Sequence, residues 1–131
     1  MTGLRWVVDA SAVLAWLFQE QGWQVVDDMV EHGALSTVNL AEVLYRSEEA
    51  GVPIEGLEND LQALGLRMVP FTDGEARLVP DIRSAARRGG RRLSLADCCC
   101  LATGVHLNLP VVSSDRAWES LRLGVDIRLI R

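Results

Sequence analysis

Lysine is absent from this sequence of 131 residues: all 13 cationic side chains are arginine. That excludes chemistry built on an amine, namely Schiff-base formation, the Walker phosphate loop and the aspartyl-phosphate enzymes that need a lysine beside the phosphorylated acid. Histidine is scarce too. His32 and His106 fall on separate predicted helices, which disfavours a zinc centre. No apolar run reaches the roughly 18 uninterrupted residues of a membrane span. The first is broken by Asp9, Gln19 and Glu20, and it has neither a cationic start nor a small-residue cleavage site. The three cysteines, Cys98, Cys99 and Cys100, are consecutive, a spacing that suits neither a disulfide framework nor a two-plus-two zinc site. The expectation is a cytoplasmic protein in a reducing compartment, with no membrane association and with the cysteines serving as small buried hydrophobes on a helix.

What is present describes one globular domain over residues 1–131. With 49% hydrophobic residues, a chain of this length can bury about two thirds of its unfolded surface and needs no disulfide or structural metal. The net charge of −5 speaks against a general phosphate-binding face. Distribution matters more than the sum, because Arg87, Arg88, Arg91 and Arg92 crowd around Gly89-Gly90, and a guanidinium forks phosphate as an amine cannot. The plainer reading of that run is a solvated helix end favoured by the helix dipole.

Along the chain, Trp6-Val7-Val8-Asp9 reads as a short strand ending in an acid, and Val13, Leu14, Leu17 and Phe18 follow at helical spacing. A second helix covers Trp23 to Val30, and Ala34 to Val38 forms a second strand. Asn39 opens a helix through Leu40, Val43 and Leu44, and Ile54 to Leu64 forms another. Arg67 to Phe71 is a third strand. Thr72-Asp73-Gly74-Glu75 has the form of a capping box before a helix that carries Pro80 as a kink and ends at Gly89-Gly90. Ser94 starts a helix that runs through the cysteines to about Leu107. Pro110 to Asp115 is a fourth strand, again ending in an acid. A short helix near Trp118 and a last strand, Asp126 to Ile130, follow. Strands alternating with helices, several of them continuous apolar runs, predict an α/β fold whose parallel sheet is covered on both faces.

In such sheets chemistry gathers beyond the carboxyl ends of the strands. Asp9 and Asp115 close two strands at that edge. Glu42 follows Asn39 by three residues and Asp97 follows Ser94 by three, which places each acid in the first turn of a helix pointing at the same edge. Taken singly, Asn-x-x-Glu and Ser-x-x-Asp are capping boxes and Asp9 is a turn residue. Taken jointly, four carboxylates in one cleft repel strongly. Helix dipoles, at about 0.3–1 kcal/mol each, are too weak to offset that repulsion. A hard dication held by oxygen ligands and water, Mg²⁺ or Mn²⁺, is the natural neutraliser.

The segments Val-Val-Asp9-Ala-Ser11-Ala, Asn39-Leu-Ala-Glu42-Val, Leu93-Ser-Leu-Ala-Asp97-Cys and Val112-Ser113-Ser-Asp115-Arg-Ala-Trp118 together resemble the successive motifs of PIN-domain ribonucleases, specifically the VapC toxins of toxin–antitoxin pairs. The resemblance spans almost the whole chain in order. It implies a PIN-like three-layer α/β/α fold with a five-stranded parallel sheet in the order 3-2-1-4-5, usually assembled as a homodimer. It implies that Asp9, Glu42, Asp97 and Asp115 are catalytic residues and metal ligands for Mg²⁺, with Mn²⁺ as a substitute. Ser11 and Ser113 match the hydroxyl positions that orient ligands or a water, Ser113 standing where threonine is more common. The implied activity is metal-dependent endoribonuclease cleavage of RNA that leaves a 5′-phosphate and a 3′-hydroxyl, with Arg87, Arg88, Arg91 and Arg92 as candidates to hold the RNA backbone. The implied partner is a VapB-like antitoxin that occupies the cleft, with Trp16 and Trp23 as candidate contacts. Two other readings stand beside this one: a PIN-like interaction module without catalytic power, and an Mg²⁺-dependent phosphotransfer or receiver-like domain, against which the absence of lysine argues.

Overall fold

A computed structural model describes residues 3–131. Five short strands, β1 (Trp6–Val8), β2 (Gly33–Ser36), β3 (Arg67–Val69), β4 (Val111–Ser113) and β5 (Ile127–Leu129), form one sheet in the order β3-β2-β1-β4-β5, with every neighbouring pair parallel. This is the order the sequence motifs imply. It differs from the 2-1-3-4-5 order of receiver-like domains. Seven helices surround the sheet: α1 (Ala10–Leu17), α2 (Trp23–Met29), α3 (Thr37–Glu49), α4 (Leu57–Ala63), α5 (Asp73–Ala76), α6 (Val79–Arg88) and α7 (Leu95–Leu107). Short 3-10 turns cover Val30–His32 and Arg116–Ser120. None of the described helices is long and apolar enough to cross a membrane.

Successive residues of each central strand serve opposite cores, as the period of two requires. Val8, Leu35 and Val112 pack with α1, α3 and α4 on one face; Val7, Ala34 and Val111 pack with α6, α7 and Trp118 on the other. Because both faces are covered, these strands are apolar throughout and do not alternate with polar residues. Helix α7 is enclosed on nearly all sides, with Cys98 to Gly104 all buried, which explains its even apolar character. The cysteines are free thiols inside it.

Two local expectations are corrected. Helix α3 begins at Thr37, capped by the Ser36 hydroxyl, which accepts from the Val38 amide at 3.3 Å; Asn39 is therefore an interior residue and Glu42 lies in the second turn. Pro80 does not kink a long helix. It sits in the first turn of α6, where its missing N–H costs nothing, and the capping-box residues Thr72 and Glu75 belong to the separate short helix α5.

Candidate functional site

Asp9 is the residue immediately after β1 and the N-cap of α1, so strand and helix fix its carboxylate at the carboxyl edge of the sheet. Its side chain is 4% exposed. One oxygen, Oδ2, accepts from Ser11 Oγ at 2.5 Å and from Ser113 Oγ at 3.0 Å. Ser113, the last residue of β4, also accepts the Asp115 amide at 3.0 Å, and Asp115 in turn accepts the Ala117 amide at 3.0 Å as the cap of the following 3-10 turn. At the start of α7 the capping box forms despite the short aspartate: the Ser94 amide donates to Asp97 Oδ2 at 3.1 Å and the Asp97 amide to Ser94 Oγ at 3.0 Å. Capping and cavity lining are thus not alternatives for Asp97. The cap spends one oxygen, fixes the rotamer and leaves the other oxygen available.

These segments converge. Asp9, Glu42, Asp97 and Asp115 line one cavity of about 330 Å³, together with Ser11 and Ser94. Among the described residues, Arg46 is the one cation on its wall, with Nε 3.1 Å from Glu42 Oε2. Burial raises the Asp9 carboxyl from 3.8 to about 6; the hydrogen bonds from Ser11 and Ser113 oppose the rise, and the charges of Asp97 and Glu42 add to it.

A PIN-domain family model matches residues 6–122. The chain belongs to the PIN-domain family. Its PIN fold is similar to that of a DNA-bound VapBC from Salmonella typhimurium, at 18% identity, TM-score 0.75 and coverage of 98% of this chain and 99% of that one. It is also similar to FitAcB from Neisseria gonorrhoeae, at 22% identity, TM-score 0.73 and coverage of 95% and 97%. A third likeness is to VapBC-5 from Mycobacterium tuberculosis, a member of the VapBC family of toxin–antitoxin systems, at 23% identity, TM-score 0.61 and coverage of 95% and 96%. At such identities these likenesses speak to the fold. No curated protein sequence matches this one.

The donor set of this PIN domain suits a hard cation. The cavity offers carboxylate and hydroxyl oxygens and no imidazole. Its volume accommodates an ion with several waters, at about 30 Å³ each. Its most buried carboxylate is already pushed toward the neutral form by its surroundings, which a dication would reverse. Among the described residues, no three acidic, histidine or cysteine side chains are gathered closely enough to form a finished metal cage. Each carboxylate is instead satisfied by its own local donor.

The arginine run stands apart from this cavity. Arg87, Arg88, Arg91 and Arg92 are all exposed, and none lines it. Arg88 borders a different cavity beside Leu78, Ile82, Val105 and Leu123, and Arg91 donates to Ser120 at 3.1 Å. Of the two tryptophans expected as antitoxin contacts, Trp16 donates to Asp27 at 3.0 Å, and both it and Trp23 are half-buried.

Three residues near the PIN site escape a reading by motif. Arg46 is one, although its spacing of four from Glu42 was a visible signal. Asn39 is another: fully buried, it donates to the Ala96 carbonyl at 3.2 Å and so ties α3, which carries Glu42, to the first turn of α7, which carries Asp97. Its Oδ1 is buried without a partner among the described residues. Cys100 is the third. Burial, then the charges of Asp9 and Asp97 and a hydrogen bond with Asp9, hold its thiol well above the ordinary range, so it stays neutral beside that carboxylate.

Proposed function

We propose that this PIN-domain chain is a divalent-metal-dependent endoribonuclease, the toxin of a VapBC-type pair. The observation that carries the reading is the convergence of Asp9, Glu42, Asp97 and Asp115, drawn from four separate segments, on one cavity at the carboxyl edge of the sheet. Asp9, Asp97, Asp115 and Glu42 would hold Mg²⁺ or Mn²⁺. When bound, such an ion supplies Lewis acidity, activating water for attack and stabilising charge on the phosphodiester oxygens.

The chain's own residues do the rest. Ser11 and Ser113 fix Oδ2 of Asp9 by donating to it, which holds the carboxylate in one orientation. The Ser94–Asp97 cap and the Asp115–Ala117 bond hold two further carboxylates in single orientations, so little side-chain entropy is lost on binding. Water attack in line with the leaving 3′ oxygen yields a 5′-phosphate and a 3′-hydroxyl.

A toxin of this kind has an antitoxin partner, and the similarity in fold to the VapBC assemblies supports one here. Assembly as a homodimer belongs to the same proposal. The arginine run, standing away from the cavity, is proposed as a backbone contact for RNA extending beyond the cleaved bond.

The test is incubation of the purified chain with structured RNA and Mg²⁺, with and without EDTA, followed by mapping of product termini. Cleavage lost in EDTA, leaving 5′-phosphates, is the expected result. Asp9→Asn and Asp97→Asn should abolish it with the fold intact. Near wild-type Mg²⁺-dependent cleavage by Asp97→Asn would falsify the role given to that residue.

A further inference from the structure

Arg46 borders two cavities at once. Its partner Glu42, one turn back on α3, is 16% exposed, while the Arg46 side chain is 52% exposed, so a sheltered carboxylate is covered by a guanidinium standing at the mouth. The adjoining cavity, of about 480 Å³, shares Ser11, Leu14 and Arg46 with the acidic one and extends past Phe18 to Arg131. Arg131 donates to the Gln21 carbonyl at 3.0 Å and lies 3.8 Å from Glu20. Glu20 and Glu49 also border this space, and Arg46 and Arg131 are its two cations among the described residues.

Two demands conflict at Glu42. Arg46 holds Oε2 of that carboxylate, so a dication that takes this oxygen displaces the guanidinium, and one at the other oxygen is repelled by it. Once released, a half-exposed guanidinium seeks another anion, and Arg46 already borders the second cavity. A chain with a net charge of −5 also has to accept a polyanion beside four carboxylates. Releasing a positive charge only when the acids are neutralised meets both demands.

We propose, on the reading of the acidic cavity as a metal-dependent ribonuclease site, that Arg46 is a displaceable counter-ion: it neutralises Glu42 in the metal-free protein and, when a divalent cation takes that carboxylate, turns into the adjoining cavity to hold, with Arg131, the RNA phosphate flanking the scissile one. Metal loading and RNA binding are then coupled, and the coupling is reciprocal. The planar fork of Arg46 suits both anions in turn, carboxylate first and phosphate second.

Removing the charge has opposite effects on the two ligands, which a merely structural role would not produce. Arg46→Gln should bind Mn²⁺ about two- to fivefold tighter than wild type, the fold-change expected when a competing ion pair of this exposure is lost. The same variant should bind a single-stranded phosphorothioate RNA, which resists hydrolysis, at least about threefold more weakly in Mn²⁺ and with unchanged affinity in EDTA. Arg77→Gln, which removes an exposed pair of the same spacing with Asp73, should change neither. Unchanged or weaker Mn²⁺ binding by Arg46→Gln overturns the proposal, as does an RNA deficit equal in Mn²⁺ and EDTA. Asp9→Asn separates the two levels. If it removes Mn²⁺ binding while Arg46→Gln is neutral, only the role of Arg46 fails; if Mn²⁺ binding ignores Asp9→Asn, the metal site itself fails, and this inference with it.

Discussion

Ser11 and Ser113, 102 residues apart in the chain, stand with their hydroxyl oxygens 3.3 Å from each other, and both donate to Oδ2 of Asp9. Each of these bonds favours the ionised carboxylate and opposes the burial that raises it. Ser113→Ala and Ser11→Ala should therefore lift the Asp9 carboxyl further and make Mn²⁺ binding fall more steeply as the solution is taken from about pH 8 to about pH 6, since the ion must displace a proton. The double variant should cost less than the sum of the two single changes, because both hydroxyls serve one oxygen. Calorimetric titration of Mn²⁺ at several pH values checks this, and strict additivity with no change in pH slope rules it out.

Asp9 also sets a pH dependence of stability in the metal-free protein. Its carboxyl titrates near 3.8 in the unfolded chain and near 6 in the folded one, so between those values the unfolded chain loses its proton first. The stabilisation tied to this group is complete below about pH 4 and is lost as pH rises through about 6, a change on the order of 3 kcal/mol. In EDTA, Asp9→Asn should accordingly melt higher than wild type at pH 8, with the difference shrinking toward pH 4. Added Mg²⁺ should raise the wild-type melting temperature and leave the variant unmoved. Parallel melting curves across that pH range in EDTA would sink this account.

Asn39 carries a prediction of another kind, because it joins the two helices that present Glu42 and Asp97. Asn39→Ala removes the bond to the Ala96 carbonyl from a fully buried position, a loss of about 1–2 kcal/mol in denaturant unfolding. If the tie positions the acids, Mn²⁺ affinity measured well below the unfolding transition should drop as well. A stability loss with unchanged affinity reduces Asn39 to a packing residue.

Asn39 also marks where the sequence was legible and where it was not. Its place three residues before Glu42 imitates a capping box, and only the three-dimensional arrangement reveals that Ser36 caps the helix while Asn39 points across to α7. Strands and helices were readable because apolar periodicity is local: the runs at Val7-Val8 and Val111-Val112 mark central strands, and the box at Ser94 marks the start of α7 within a residue. The edge on which the acids fall followed from strand direction alone. Arg46 and Cys100 were harder. Their importance comes from which cavity wall or carboxylate they face, a property of helix packing that no local pattern encodes. The arginine run shows the converse failure, since the densest charge in the sequence lies away from the acidic cavity.

Helix α7, which carries Asp97, approaches the sheet closely at its other end, and Gly104 sets that distance. A β-carbon built there would overlap the side chain of Val111 on β4, stand 3.2 Å from the Leu109 carbonyl and 3.3 Å from a Val125 methyl. The obstructing atoms are a buried strand residue and backbone, neither of which can swing aside. Helix and strand must separate, even though alanine is the better helix former. Gly104→Ala should thus cost about 3 kcal/mol, or roughly 10 °C in melting temperature for a chain of this length. Because Asp97 lies two turns away along α7, toward its first turn, where the Ser94 cap and the Asn39 tie hold it independently, the variant that remains folded should keep its Mn²⁺ affinity within about twofold, a margin of less than 0.5 kcal/mol. Melting curves and Mn²⁺ titrations on the same preparation separate these effects, and a neutral or stabilising Gly104→Ala would show that the close approach is not what the glycine provides.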